Sequence, residues 1–330
     1  MRIAYHYGSL AAGGVERRLG DLYRHLTRRG DEVWIVALRF DRGGRETVCR
    51  QGGVPEDRIL CSPPGTPFAE PFRLWSQATL EALEPDIIVV QWCALPIECA
   101  SPAVATIHGE IPLPEPNLFD GILFVSKSII MPIEGQVGPI RAVENWVDLQ
   151  EHPFHEDLPR EGVCFLGREY KSENAEMVAR EYGEGTIDCY ADGWGGDHPS
   201  NMIYQGYGDP REVFPRYRVC FTAGFAARES VAAGRLTIAG QPNVFRRGDY
   251  RLVTPDRIAE MSEGRFADMG PIKAVPAPTQ EQRMEEFWKA LGGGDWLEER
   301  KAMRAYLAEH RSAAKQIAKV RAFYEEVLAT

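Results

Sequence analysis

The sequence predicts an α/β protein built as two halves, and three observations carry that prediction. The chain has 330 residues, and a single hydrophobic core seldom grows beyond ~250–300 residues. Its opening runs from a short apolar strand through a Gly-rich turn and a helical stripe into a second apolar strand, which is the βαβ pattern. From Val163 the same alternation starts afresh.

Composition narrows the function classes. Charged residues are 26% and hydrophobic residues 44% of the chain, as in soluble globular proteins. The net charge of −10 argues against a general nucleic-acid or anionic-membrane surface, though a local basic patch stays open. The seven cysteines are odd in number and contain no C-x-x-C pair. Cys164, Cys189 and Cys220 sit in apolar runs and read as buried reduced thiols, which points to a cytoplasmic protein. Cys93 and Cys99 suit a core or loop better than a metal site. No apolar stretch reaches the ~18–20 residues of a membrane span, and the chain starts directly on a strand, so neither a transmembrane segment nor a signal peptide is expected. Peripheral membrane contact stays open.

In the first half, Arg2–Tyr7 reads as a strand and Gly8–Gly14 as a flexible turn. Val15, Leu19, Leu22, Tyr23 and Leu26 then form a helical stripe that Gly30 ends. Val33–Leu38 is the next strand. A Gly-rich turn before a helix aims backbone N–H groups at an anion, yet G-x-G-x-x-G is absent, so this is not the dinucleotide fingerprint. Asp41–Pro71 reads as loops around a short strand near Ile59–Cys61. Leu74–Leu83 is a helix, and Ile87–Val90 is a strand whose unbroken Ile/Val run implies burial on both faces. Ala103–Ile107 is another strand, which places His108 at the carboxyl end, where open α/β sheets bind ligands. Gly121–Ser126 is the next strand.

Residues 149–160 are polar and Pro-bearing and read as a linker, with His152 and His155 as surface residues rather than metal ligands. Val163–Arg168 opens the second half, followed by Lys171 and a helix over Glu173–Tyr182. Thr186–Tyr190 and Met202–Tyr207 read as strands and Asp209–Tyr217 as a short helix. Val219–Phe221 is a strand broken by Thr222–Gly224. Glu229 is expected to head a small-residue helix, where its carboxylate would sit among free N–H groups at the positive end of the dipole. Leu236–Ile238 restarts a strand. Val244–Phe245 and Tyr250–Val253 read as strands, and Thr279 with Gln282 as a capping box for a helix ending near Leu291. After the break at Gly292–Gly294, Asp295 caps the last helices, in which Ile317, Val320, Tyr324 and Val327 form one apolar seam.

Six segments, taken in order, resemble retaining glycosyltransferases of the GT-B fold, family 4 type: Gly13–Arg17, His108–Glu110, Asn145–Asp148, Gly167–Lys171, Asp192–Gly193 and Glu229–Gly234. That resemblance implies two Rossmann-like doubly wound domains facing a central cleft, with residues 1–150 binding the acceptor and 151–309 the nucleotide sugar. The C-terminal helix, about 310–330, would cross back to the first domain. The family pattern has two acids separated by seven residues, but Phe221 holds the first acid's place.

The implied chemistry is metal-independent transfer of a sugar from a nucleoside-diphosphate sugar to an acceptor hydroxyl, with no cofactor and retention at the anomeric carbon. Glu229 would take the ribose hydroxyls, while Arg168 and Lys171 would stabilise the leaving diphosphate. Gly13 and Gly14 would approach it by backbone. His108 would position the sugar, with Gly193, Tyr207, Gly224 and Phe225 completing the donor site. Glu16, Arg17, Trp92 and Glu110 would face the acceptor. A glycan, a lipid carrier, a natural product or a modified nucleobase stays open as acceptor, as do the sugar, the nucleotide and the oligomeric state. The missing acid leaves a second reading, a non-catalytic nucleotide-sugar or glycan-binding relative. A third reading is another two-domain α/β enzyme, a nucleotide-sugar epimerase or a dehydrogenase.

Overall fold

A computed structural model describes residues 1–11, 13–41, 43–91, 98–108, 118–126, 138–167, 172–182, 185–191, 195–240, 251–263 and 279–330. It divides into two compact units, Met1–Glu144 with Ala313–Thr330, and Asn145–Ser312.

The first unit is built on a seven-stranded sheet. Its strands are β1 (Arg2–Leu10), β2 (Glu32–Phe40), β3 (Ile59–Cys61), β4 (Ile87–Gln91), β5 (Ala103–Ile107), β6 (Gly121–Phe124) and β7 (Ile140–Ala142). All pairs are parallel, in the order β3-β2-β1-β4-β5-β6-β7. The direction of winding reverses between β1 and β4, and open α/β sheets bind ligands beyond the carboxyl ends at such a point. Every residue of β4 is buried, as its Ile/Val run implies.

Strand β1 runs three residues past its expected end. Gly8 and Ser9 look like a turn in the sequence, yet Ser9 and Leu10 pair with Arg39 and Phe40. Helix α1 (Gly14–Thr27) follows the Gly-rich turn as expected. Helix α2 spans Glu70–Leu83, starting before Leu74 because Pro71 suits the first turn of a helix, where its missing N–H has no intrahelical acceptor.

Helix α9 (Ala313–Leu328) belongs to this first unit, as the resemblance implied, and its seam of Ile317, Val320, Tyr324 and Val327 is buried there. The Tyr324 hydroxyl lies 3.3 Å from that of Tyr5, and Arg321 Nε donates to Asp31 Oδ2 at 2.9 Å. Gly121 permits the close approach: a Cβ there would stand 2.7 Å from Val327 Cγ2.

The second unit repeats the plan. Strands β8 (Val163–Gly167), β9 (Ile187–Ala191), β10 (Met202–Gly206), β11 (Val219–Thr222), β12 (Leu236–Ala239) and β13 (Arg251–Leu252) form a sheet ordered β10-β9-β8-β11-β12-β13. Only the last pair is antiparallel. The reversal lies between β8 and β11. Both faces are covered: Val163, Phe165, Val219 and Phe221 point to one core, while Cys164, Leu166 and Cys220 point to another.

The helices are α3 (Glu173–Glu181), α4 (Pro210–Val213), α5 (Phe225–Ala232), α6 (Ile258–Glu263), α7 (Gln280–Leu291) and α8 (Leu297–His310). The expected helix over Asp209–Tyr217 resolves into α4 and a 3-10 turn at Phe214–Arg216. The capping box of α7 is present in both directions, Thr279 Oγ1 accepting from Gln282 N and Gln282 Oε1 from Thr279 N. Asp295 Oδ1 accepts from Leu297 N, at the start of α8. Of the strand expected at Tyr250–Val253, Arg251–Leu252 forms β13; Val244–Phe245 lies outside the described residues.

Candidate active site

At the reversal point of the second sheet, β11 passes into α5 through only Ala223 and Gly224. Gly224 has φ 62° and ψ −122°, a backbone that a side chain strains, and it caps α5 without any side-chain hydrogen bond. This short connection corrects one expectation, the place of Glu229, and leaves Phe221 in the strand expected for it. Glu229 does not head its helix; α5 begins at Phe225, so Glu229 lies beyond the first turn and has no free N–H groups beside it. Phe221, where the family pattern has its first acid, is inside β11 and packs on Phe287 with ring centroids 5.9 Å apart.

Glu229 is 3% exposed. A buried carboxylate needs a partner, and His152 supplies one: its Nε2 lies 3.5 Å from Glu229 Oε1, within ion-pair reach. His152 was expected on the surface of a linker. Instead it is buried, and the segment around it belongs to the second unit.

Arginines explain the difference. From α8, Arg304 donates to the carbonyls of His152 at 2.7 Å and Leu149 at 3.0 Å, and also to that of Ala232 at the end of α5. One turn earlier, Arg300 binds the carbonyls of His155 and Gly234, each at 3.0 Å. Arg235 also donates to the His155 carbonyl at 3.0 Å. Burial, with Arg235 and Arg304 nearby, lowers the His155 pKa. Polar side chains in the segment suggest solvent, but its backbone oxygens are what the protein binds.

Asp209 completes the surroundings of His152. It caps α4 through Arg211 N at 2.9 Å and pairs with Arg211 Nη2 at 2.6 Å. Burial pushes its carboxyl up, but the bonds to Arg211 and its charge outweigh this and hold it below the usual range. Asp148, from the segment Asn145–Asp148, turns inward and accepts from Gln150 N at 3.1 Å.

In the first unit, Gly13 is extended and Gly14 opens α1. Glu16 is buried and accepts from Tyr7 Oη at 3.2 Å and from Ala11 N at 3.1 Å, so its carboxylate ties the Gly-rich turn to the end of β1. Arg17 beside it is half-buried. His108 follows β5, half-buried, with Nε2 donating to Gln91 Oε1 at 2.8 Å. Gln91, the last residue of β4, is the register partner of Thr106, and its Nε2 approaches Thr106 Oγ1 at 3.4 Å. Two buried neighbours thus orient the histidine at the sheet's carboxyl edge.

Within the second unit the structure brings Gly224, Phe225 and Glu229 together on β11 and α5, with Phe225 buried at the start of the helix. Tyr207 is exposed and follows β10. Arg168, Lys171, Gly193, Trp92 and Glu110 lie outside the described residues, as do Cys93, Gly109 and Asp192. Sequence reasoning missed that His152 and Arg304 lie beside Glu229 and its helix. The one available signal was the spacing of Arg300 and Arg304, which puts two cations on one face of a helix. Among the described residues no group of His, Cys, Asp and Glu could hold a metal, and no helix is long and apolar enough to cross a membrane.

Comparison with known proteins agrees with this architecture. The sequence model of Glycosyltransferase Family 4 matches residues 12–151. No curated protein sequence matches the chain. Among solved structures, the Anabaena protein HepE in complex with UDP and glucose aligns with a TM-score of 0.65 at 11% identity, over 98% of both chains. A glycosyltransferase from Rickettsia africae ESF-5 aligns with a TM-score of 0.62 at 13% identity, again over 98% of each chain. An alpha-glucosyltransferase in complex with UDP and a 13-mer DNA containing a HMU base gives 0.61 at 10% identity, over 98% of this chain and 99% of that one. The chain therefore has the GT-B fold of glycosyltransferases, and its first unit carries the sequence pattern of glycosyltransferase family 4.

Proposed function

We propose that the protein is a retaining, metal-independent, cytoplasmic glycosyltransferase that moves a sugar from a nucleoside-diphosphate sugar to an acceptor hydroxyl. The observation that carries the reading is Glu229: a buried carboxylate beside the reversal point of the second sheet, in a unit of GT-B plan. Acids in that position suit the paired hydroxyls of a ribose, because a carboxylate accepts two hydrogen bonds at once. The match of residues 12–151 to family 4 supports the reading. HepE and the alpha-glucosyltransferase were each solved with UDP, which makes uridine diphosphate the first donor nucleotide to try.

In this reading the acceptor oxygen bonds to the anomeric carbon on the face from which the diphosphate leaves. The carbon–oxygen bond to phosphate breaks, and the departing phosphate oxygen takes the acceptor's proton. Arg168 and Lys171 offset the charge that develops on the diphosphate. The reading assigns the diphosphate also to the Gly13-Gly14 backbone, and the sugar to His108, which Gln91 and Thr106 hold in place. Glu16 keeps the glycine turn in shape. The acceptor is a hydroxyl of a glycan, lipid carrier, natural product or modified nucleobase.

Phe221 favours a second reading, a binding protein without turnover, because the two-residue connection leaves no acid before Gly224. Incubation with a panel of nucleoside-diphosphate sugars, with and without EDTA, separates the two. Release of nucleoside diphosphate that EDTA does not affect, with retained configuration in the glycoside, supports transfer. Thermal stabilisation by a donor without release supports binding alone. Neither response to any donor would remove both readings.

A further inference from the structure

We propose that the second unit holds a small inorganic anion of the halide class at the amino edge of its sheet, bound through Arg235 Nη1 among three arginines that have no acid partner. This site is separate from the nucleotide reading and does not rest on it.

Arg235 immediately precedes β12, so it lies at the amino edge of the sheet, whereas open α/β sheets bind substrates beyond the carboxyl edge. Its side chain is fully buried. Nε donates to the carbonyl of Ala233 at 3.3 Å, and Nη2 to those of His155 at 3.0 Å and Asp157 at 3.3 Å. Nη1 is buried and has no hydrogen-bond partner. A guanidinium carries five N–H groups, two of them on this nitrogen. Buried donors left without an acceptor are costly.

Two further cations converge there. Arg300 Nη1 donates to the same His155 carbonyl at 3.0 Å and to that of Gly234 at 3.0 Å, so two guanidinium groups meet at one oxygen. Arg304, one turn later in α8, bonds the carbonyl of Ala232. Both lie over the Phe154 ring, at 5.5 and 5.8 Å from its centroid. Among the described residues no carboxylate forms an ion pair with any of the three. Glu156 and Asp157 are nearby but exposed, and Glu156 reaches Lys301 at 3.9 Å.

Carbonyls satisfy N–H groups but bring no net charge. A buried cation without a counter-charge is disfavoured, and arginine does not shed its proton to escape. Burial, with Arg300 beside it and against the opposing pull of the Cys220 thiol, lowers the Arg235 pKa to about 10. Burial, followed by the charges of Arg235 and Arg304, lowers that of His155. A water at Nη1 would accept its hydrogen bonds and leave the charge. An anion does both. Because Nη1 is closed off from solvent, a monatomic ion suits the position better than a phosphate group.

Two measurements on the full chain test this. Crystals grown in sodium gluconate and soaked in sodium bromide are expected to show an anomalous peak within hydrogen-bonding reach of Arg235 Nη1. In urea unfolding at fixed ionic strength, exchanging gluconate for chloride is expected to lower the unfolding constant about tenfold between roughly 1 and 100 mM, the course of one site with a Kd on the order of 10 mM. Arg235→Met is expected to lose that dependence. Arg235→Lys, which keeps the charge without the Nη1 N–H groups, is expected to lose most of it.

A water at Nη1 in place of bromide overturns the inference. So does a bromide peak without any Arg235-dependent change in unfolding, which marks an adventitious ion only. A chloride effect that persists in both variants is general salt action and overturns it as well. If neither variant folds, the bromide peak together with saturation of the wild-type response supports the site, and the lack of either removes it. No nucleotide enters these measurements, so failure of the donor reading leaves their outcome untouched.

Discussion

Two buried histidines, one in each unit, show what separates a core residue from part of a site. His6 lies in β1, between Val36 and Val90 in the sheet register, fully buried and stacked on Phe72 with centroids 5.4 Å apart. Among the described residues neither of its ring nitrogens has a hydrogen-bond partner, and burial lowers its pKa to about 3. It is a neutral aromatic plate. His152 is buried almost as deeply, but it faces the Glu229 carboxylate at 3.5 Å and its backbone carbonyl is bonded by Arg304. Burial is common to both. The charged partner is what makes His152 a candidate for function and leaves His6 to packing.

The largest expected effect bears on the functional side of that comparison. Glu229→Gln keeps the shape and removes the charge, and should weaken nucleoside-diphosphate binding by about 2–3 kcal/mol, read by calorimetry.

His6→Leu should act on stability instead. Unfolded His6 titrates near 6.5 and folded His6 near 3, so between those values the unfolded chain binds the extra proton. Stability contributed by the neutral ring is therefore full above pH 6.5 and falls toward acid by about 1.4 kcal/mol per pH unit. Removing the ring should flatten that slope, worth about 2 kcal/mol at pH 5, in urea unfolding followed from pH 7 to pH 4.5. Nucleotide affinity should not change; if it does, the contrast between the two histidines breaks.

Gly224→Ala forces a side chain onto a φ of 62° with ψ −122°. It should destabilise the second unit by about 1–3 kcal/mol in urea unfolding and shift Glu229 enough to weaken nucleotide binding. The smallest effect is expected at Thr279→Ala, which removes one side of the α7 capping box and should lower stability by about 1 kcal/mol without touching affinity.

Much of the fold was legible because its signals are local. The Ile/Val run of β4, the stripe of α1, the capping box of α7 and the seam of α9 each lie within a short window, and each forms as read. The order of six weak motifs carried the fold family. What failed was non-local. Helix α5 is buried on every side, so it has no polar face to reveal where it starts, and Gly224 caps it by backbone geometry. Gly8 and Ser9 look like turn residues, and only pairing with β2 keeps them extended. The segment around His152 has the composition of a solvent linker. Its burial depends on Arg235, Arg300 and Arg304 reaching its carbonyls from far along the chain, and no side-chain pattern encodes a carbonyl acceptor. Glu229, the residue proposed to meet the ligand, was legible in the sequence; His152, which lies against it, was not.

The most direct test of the central claim is a crystal structure of the chain with the nucleoside diphosphate that binds it tightest. The account predicts ribose hydroxyl oxygens within ~3.2 Å of the Glu229 carboxylate, with His152 still against that carboxylate. A nucleotide bound with its ribose away from Glu229 would contradict the account.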